Sequence, residues 1–581
     1  MWPELALLIL HLFVALCSSR IIEHIEDLPT RTFDFVVVGG GTAGNVIASR
    51  LTENPGISVL VLEAGGSNEG VLLSMVPGFC GRTVQSAIDW NFTAQVGQDN
   101  RTIEVPRGFI LGGSSSINCM AYTRGSSEDW DRYADVTGDP GWSWDNVQPF
   151  IRKNEHFTPP VDKHNTTGQF DPAVHSFDGV NSVTLPGFTH HYDELVIQSS
   201  KLPGAELPFN LDTNSGNQLG IGWGQSTVLN GQRSSSATSY LGPTVAKRSN
   251  LHVLLHAHVT RILKASRSQS SFTKVELTQN AGETFEIVSA TKEIIISAGA
   301  IGTPNLLLNS GIGDSESLLE IGIPSTLHLP SVGQNLTEQP AVTLAWNISS
   351  PQTNSTDAEQ LEQWMKTPRS GPLVDAPLNT VGFFRLPANA SIFTRFRDPS
   401  AGPHTAHLEI VFTNDGFGLP GNVVSSAPAI VSPASRGFVK LNSSNLLDHP
   451  MIDLNLLSSE FDLFAMREGL RMIVRFMASP PFEGFLLSSN LNIDDETTDD
   501  DLDAVIRSRV GGAAHLVGTA SMSPKDADWG VVDPDLKLKG AQGVRIADAS
   551  VLPFVPAAHT QASVYIVAER ASHLIKNTWD L

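Results

Sequence analysis

Two histidines close to the C-terminus have the type and setting to move a proton: His515 in GGAAHLVGTASM and His559 in PAAHTQA, 44 positions further on. A neutral imidazole is a base matched to neutral pH. A second imidazole beside it can hold the oxygen that loses the proton and stabilise the charge that develops there. The pair therefore suits removal of a hydroxyl proton while the adjoining carbon gives up a hydride. A lone histidine among apolar residues is more often a core residue with its hydrogen bonds met. The weight on His515 depends on whether the chain holds something that accepts a hydride. The neighbouring pair His190 and His191 follows a Pro186-Gly187 turn and is expected in an exposed loop. No cluster of His, Cys, Asp and Glu has metal-ligand spacing, so no metal is expected.

The hydride acceptor is foreshadowed at the other end of the chain. In FDFVVVGGGTAGNVIASRL, an apolar run from Phe35 to Val38 leads into Gly39, Gly41 and Gly44, then into a helix-compatible stretch ending at Leu51. Glycines there permit a tight turn, and the helix N-terminus favours the charge of a pyrophosphate. Ile57 to Leu62 reads as the next strand, closed by Glu63, a carboxylate placed to accept hydrogen bonds from a ribose. Strand, glycine turn, helix, strand and acid in this order predict a dinucleotide site that includes Thr42 and Ala43. The motif permits NAD or FAD.

Three further stretches carry a family resemblance. RGFILGGSSSIN (Arg107 to Asn118), SAGAIGTPNLLLNSGIG (Ser297 to Gly313) and GVRIADASVLPFVPAAHTQASVYIVAERAS (Gly543 to Ser572) resemble the signatures of the glucose–methanol–choline (GMC) oxidoreductases, closest to the fungal aryl-alcohol oxidases. Phe109 departs from the basic or polar residue usual in the first signature. The resemblance implies FAD as cofactor, with Gly112, Gly113, Ser114, Ser115, Asn118, Cys119, Val259, Asp548 and Ala549 around it. It also implies that His515 is the principal base and His559 its hydrogen-bonding partner. Read from the residues themselves, Gly112 to Ser115 offer small side chains and free amides where a flat ring or phosphate must come close. Pro304 is placed to start a helix running to Leu308.

The fold these elements require is α/β: a discontinuous Rossmann-like FAD-binding domain (33–130, 230–330 and 505–581) and an α+β substrate-binding domain on an antiparallel sheet (131–229 and 331–504). His407 to Phe412 and Gly437 to Leu441 read as strands of that sheet, and Glu460 to Met477 has helical periodicity. The acid run Asp494 to Asp503 lacks the glycine of a calcium loop and fits the start of a helix capped by Thr498. Trp142 and Trp144 are expected as buried anchors in a turn feeding a helix.

The substrate expected from the resemblance is a small-molecule primary alcohol, benzylic or allylic, oxidised to the aldehyde with O2 or a quinone as electron acceptor. A hydroxynitrile-lyase-like enzyme with non-redox flavin, or a flavoprotein that only binds, are the alternatives. Ala514, preceded by Ala513, and Cys119 stand where the look-alikes place bulky side chains, whereas Phe417 keeps one aromatic of an access loop. Both changes point to a roomier pocket.

The 581 residues carry a formal charge of −22, which excludes a nucleic-acid partner. Residues 1–19 read as a signal peptide with an apolar core from Leu5 to Leu16, too short to span a bilayer. With the sequons at Asn91, Asn100, Asn165, Asn335, Asn347, Asn354, Asn389 and Asn442, it predicts a secreted glycoprotein, expected as a monomer without stable membrane insertion. Cys80 and Cys119, the two cysteines beyond that leader, are too few for a disulfide framework.

Overall fold

The apolar runs around the glycine turn build the centre of an eight-stranded sheet. The computed structural model of the chain describes residues 21–96, 101–266, 270–353, 355–415, 422–494 and 496–581. Strands Ile21–Ile22, Leu251–Leu254, Val59–Leu62, Thr32–Val38 and Glu286–Ile296 lie side by side and parallel. Val544–Ile546 also pairs parallel to Glu286–Ile296, and Phe272–Thr278 and His258–Lys264 continue the sheet antiparallel. Val59–Leu62 is buried at every position, as a parallel strand covered on both faces must be, which is why it reads as an unbroken apolar run. The C-terminal helix Thr560–Trp579 packs against helices Gly44–Leu51 and Trp144–Asn154. Arg50 fixes that contact with an ion pair of 2.7 Å to Glu569, whose carboxylate is buried.

The second sheet is antiparallel throughout, in the order Leu486–Ser489, Leu344–Ile348, Val423–Ile430, Leu408–Thr413, Thr380–Phe384 and Gly220–Trp223. Helix Glu460–Met477 covers it with Phe461, Ala465, Met466, Leu470 and Ile473. Pro340–Ala341 bridges this sheet to Gly511–Gly512, so the peptide that leads into His515 belongs to the second sheet while Asp548 follows a strand of the first. The two sheets therefore meet where the two histidines are expected.

Several local readings change. Helices Ser127–Thr137 and Trp144–Asn154 and the turn Pro140–Trp142 between them, largely inside the 131–229 segment assigned to substrate binding, bury Trp130, Tyr133, Trp142 and Ile151 in the core of the first sheet. Pro304 does not start its helix; it sits inside Gly299–Asn309. A proline has no N–H for the carbonyl four residues back, and the Thr519 hydroxyl donates to that carbonyl, Ala300 O, at 2.7 Å instead. His191 opens helix His191–Ser200, and His190 is half-buried at its N-cap, not in an exposed loop. Cys80 and Cys119 form a disulfide, their Cα atoms 5.0 Å apart. Thr498 caps Asp499–Arg509 through a capping box, as the acid run predicts.

Asn91, Asn165, Asn347, Asn389 and Asn442 are exposed. Asn335 is not a free surface acceptor: its Nδ2 donates to Ser521 Oγ at 3.1 Å and to Pro553 O at 3.0 Å, which occupies the atom a glycan would need. Asn100, Asn354 and the 1–19 leader lie outside the described residues.

Candidate active site

The glycine turn is shaped by close approach. A Cβ on Gly44 would stand 2.0 Å from Gly39 O, so only glycine lets the helix begin against the strand. A Cβ on Gly41 would meet nothing nearer than Gly113 Cα at 3.8 Å, and this face opens on a cavity. Glu63 closes the second strand and accepts from Gly40 N (2.9 Å) and Gly65 N (2.8 Å). Burial raises its pKa to about 7 against the pull of those amides. Asn45 and Ser236, neither visible as site residues in the sequence, lock the turn: Asn45 Nδ2 donates to Gly40 O at 2.8 Å and Ser236 Oγ to Gly41 O at 2.9 Å.

Asp548 sits at the N-terminus of helix Gly299–Asn309 and accepts from Gly299 N (2.9 Å), Thr303 Oγ1 (2.6 Å) and Ser550 N (2.8 Å). Asn118 donates from Nδ2 to Gln561 Oε1 at 2.8 Å and accepts at Oδ1 from the buried Arg233, also at 2.8 Å. Asp548, Gly299, Asn118 and Gln561 line one cavity of about 1320 Å³, which runs from Gly39 and Glu63 past Ser114, Ser115 and Val259 to His515 and His559. Along its wall the buried Oδ1 atoms of Asn305 and Asn309 meet no partner among the described residues. Phosphate-ready amides, a ribose-ready acid and unpaired amide oxygens fit a long dinucleotide.

At the far end, His515 Nδ1 lies 2.6 Å from Gln339 Oε1. The other half of that amide is committed: Gln339 Nε2 donates to Pro556 O at 2.9 Å and to Ala558 O at 3.3 Å. The amide oxygen must then face the imidazole, the proton must sit on Nδ1, and Nε2 keeps its lone pair. The backbone is held from the same segment, since His515 N donates to Glu338 Oε1 at 2.9 Å. Glu338 is buried, and its pKa is pushed up to about 7 by burial against the attraction of Arg107 and those backbone donors. That anchor keeps Ala514 at φ 63°, a left-handed conformation costly for alanine. Burial first, then the charges of His559 and Arg107, hold the His515 pKa well below the usual histidine value. The imidazole is thus neutral at neutral pH, as a base must be. The His559 ring meets it edge-on with centroids 4.6 Å apart, and His559 Nε2 stands 2.8 Å from Glu409 Oε1. His559 N donates to Thr123 Oγ1 at 2.8 Å.

Of the residues expected at the site, Gly39, Gly41, Thr42, Ala43, Glu63, Gly113, Ser114, Ser115, Asn118, Cys119, Val259, Ala514, His515, Asp548, Ala549 and His559 line the cavity. Gly44 and Gly112 support it from behind, Gly112 by donating its N–H to Gly40 O at 2.7 Å. Phe417 lies outside the described residues. Glu338, Gln339 and Glu409, which contact the two histidines, are candidate site residues the sequence reading missed, and no spacing near them marks a site.

Comparison with known proteins agrees with this geometry. The GMC oxidoreductase family models match residues 33–341 and 433–568. A protein named pyranose dehydrogenase 3 from Leucoagaricus meleagris is 40% identical over 96% of this chain and 95% of its own. A formate oxidase variant from Aspergillus oryzae superposes with a TM-score of 0.86 at 28% identity, over 94% of this chain and 99% of that one. A fungal aryl-alcohol oxidase does so with a TM-score of 0.80 at 26% identity, over 95% and 100%. The chain belongs to the GMC oxidoreductase family and is an FAD-dependent oxidoreductase.

Proposed function

We propose that this enzyme oxidises a carbinol carbon of a polyhydroxylated substrate of the sugar class and passes the electrons to a quinone-type acceptor. The observation that carries the reading is the chamber beside the histidine pair. Its floor is made of Ala341, Ala427, Ala429, Gly512, Ala513 and Ala514, and Glu409 projects into it. Glu409 is paired in register with Ala429, which is itself paired with Ala341, so three adjacent strands present small side chains and one carboxylate. Such a space admits a ring that carries several hydroxyls, and its polar rim can hydrogen-bond them. The 40% identical relative named a pyranose dehydrogenase supports both the substrate class and an acceptor other than oxygen.

The Gly39–Gly44 turn, Glu63, Asn118 and Asp548 would hold FAD, which would supply the hydride acceptor. His515 Nε2 takes the hydroxyl proton, with Gln339 holding Nδ1–H so that the lone pair stays on the cavity side. His559, beside Glu409, steadies the same oxygen and the charge it develops. A primary benzylic or allylic alcohol with O2 as acceptor is the second reading, favoured by the aryl-alcohol oxidase neighbour.

The test is anaerobic mixing of the yellow holoenzyme with glucose, other hexoses and benzyl alcohol, followed by flavin absorbance, then addition of benzoquinone or O2. Bleaching by sugars and fast recovery with quinone are expected. Bleaching by benzyl alcohol alone would shift the assignment to the second reading, and turnover without bleaching would make the protein a lyase. The leader and exposed sequons support secretion, and so does the Cys80–Cys119 disulfide, a bond that persists in oxidising compartments.

A further inference from the structure

The chamber extends much farther from the histidine pair than one sugar ring requires. Glu409 lies near one end of strand Leu408–Thr413 and Asn414 just beyond the other. At a rise of ~3.3 Å per residue the two are about 16 Å apart, and Val411 lines the cavity between them. The facing strand keeps this track clear, because Ala427 pairs with Val411 and Ala429 with Glu409. A single hexose held at His515 and His559 leaves the outer half of the track empty.

That outer end is built for hydrogen bonding. Asn414 is 8% exposed, lines the cavity, and its Oδ1 meets no partner among the described residues. Gln352 lines the same cavity, and both its Oε1 and Nε2 are buried without a partner among the described residues. The two extend from strands on either side of Val423–Ile430, namely Leu344–Ile348 and Leu408–Thr413, and Ile348 N donates to Asn422 O at the end where Asn414 lies. Leaving amide groups buried and unpaired is costly; the Asn414 side chain hydrogen-bonds Asp193, which leaves its Oδ1 for the cavity, while the Gln352 side chain has no partner among the described residues. Around them the end is held in place, with Asp193 accepting from His190 N at 2.8 Å and from Asn379 Nδ2 at 2.9 Å.

We propose that Asn414 and Gln352 form a distal subsite for a second or third linked sugar unit, so that the enzyme selects chains over single rings. This rests on the sugar reading above. The reacting hydroxyl lies between His515 and His559, and the hydroxyls of the distal unit exchange hydrogen bonds with the two amides.

The experiment compares kcat/KM of the holoenzyme on glucose, maltose, maltotriose, cellobiose and cellotriose with a quinone acceptor. The parent enzyme should prefer a di- or trisaccharide of at least one linkage over glucose by tenfold or more. Asn414→Leu and, independently, Gln352→Met should each cut that ratio about three- to tenfold, through KM and not kcat. The Gln352 variant keeps the test open if Asn414→Leu does not fold. Equal rates on glucose and every oligosaccharide would overturn the subsite while leaving sugar oxidation intact. Variants that lower glucose and trisaccharide activity in step would also overturn it. Failure of every sugar to bleach the flavin, with another alcohol succeeding, would instead remove the reading on which it rests.

Discussion

Replacing Gln339 with leucine tests how the base is set. In the parent, Gln339 Oε1 accepts from His515 Nδ1–H at 2.6 Å, and the backbone carbonyls of Pro556 and Ala558 fix the amide so that it cannot turn over. Leucine keeps most of the volume and removes the acceptor. Nδ1–H is then a buried donor without a partner, which costs ~1–3 kcal/mol. The imidazole can relieve that cost by moving its proton to Nε2 or by rotating, and either response removes the lone pair from the cavity. At 1.36 kcal/mol for each factor of ten, the expected loss in the rate of flavin reduction is about 5- to 150-fold. The assay is anaerobic single-turnover reduction followed at the flavin band, with FAD content and substrate-analogue affinity measured on the same preparation. Gln339 is a positioning residue, so the rate should fall while FAD content and analogue affinity stay close to parental values. Gln339→Glu retains an acceptor and should recover part of the loss. A reduction rate within twofold of the parent in Gln339→Leu would refute the assignment of the His515 tautomer, and with it the route by which the proton leaves.

Three other outcomes follow from the same geometry. Because burial, His559 and Arg107 depress the His515 pKa, the neutral base persists below the ordinary histidine value of about 6.5. The anaerobic reduction rate should therefore stay level as pH falls from 8 to below 6, and a single titration centred near 6.5 would contradict it. Closing a loop with a sequence separation of 39 removes about 4 kcal/mol of unfolded-state entropy in the chain-entropy model. Cys80→Ala with Cys119→Ala should lower denaturation stability by up to that amount, and an unchanged urea midpoint would show that the bond does not hold the cavity wall. Gly44→Ala puts a methyl 2.0 Å from Gly39 O, and overpacking of ~1–3 kcal/mol should weaken FAD retention about 5- to 150-fold, read as the ratio of flavin to protein absorbance after gel filtration. Full flavin content in that variant would mean the turn does not need its third glycine.

What the sequence made legible was local. The glycine turn, its flanking strands and Glu63 fall within one βαβ unit, so tight turn, close packing and ribose acid appear together in about thirty residues. His515 and His559 were visible only because a family pattern surrounds them. What the sequence hid was long-range. Gln339 lies 176 residues before His515 in the chain, and Glu409 lies on a strand of the second sheet while His559 caps the C-terminal helix, so no window of sequence joins either pair. The disulfide was hidden for the same reason: Cys80 lies within a short 3-10 segment, Cys119 follows the Gly112 turn, and only the folded chain brings them together.

The same division explains why reaction and substrate separate so cleanly in this chain. The proton-moving groups are held by Glu338, Gln339 and Glu409, which leave the base one productive tautomer and one backbone position. The strained φ of Ala514 shows that the anchor outweighs a local cost, as expected where a catalytic side chain must be aimed. On the proposed reading, substrate choice falls elsewhere, on strand faces that begin at Glu409 and run outward past Val411 and Ala427. There each position can change size or polarity without moving the histidines, because the histidine loop is tied through Pro340–Ala341 and not through those outer strand ends. A chamber floored with alanine and glycine follows from that freedom: the chemistry at His515 stays fixed while the space beside it can be resized.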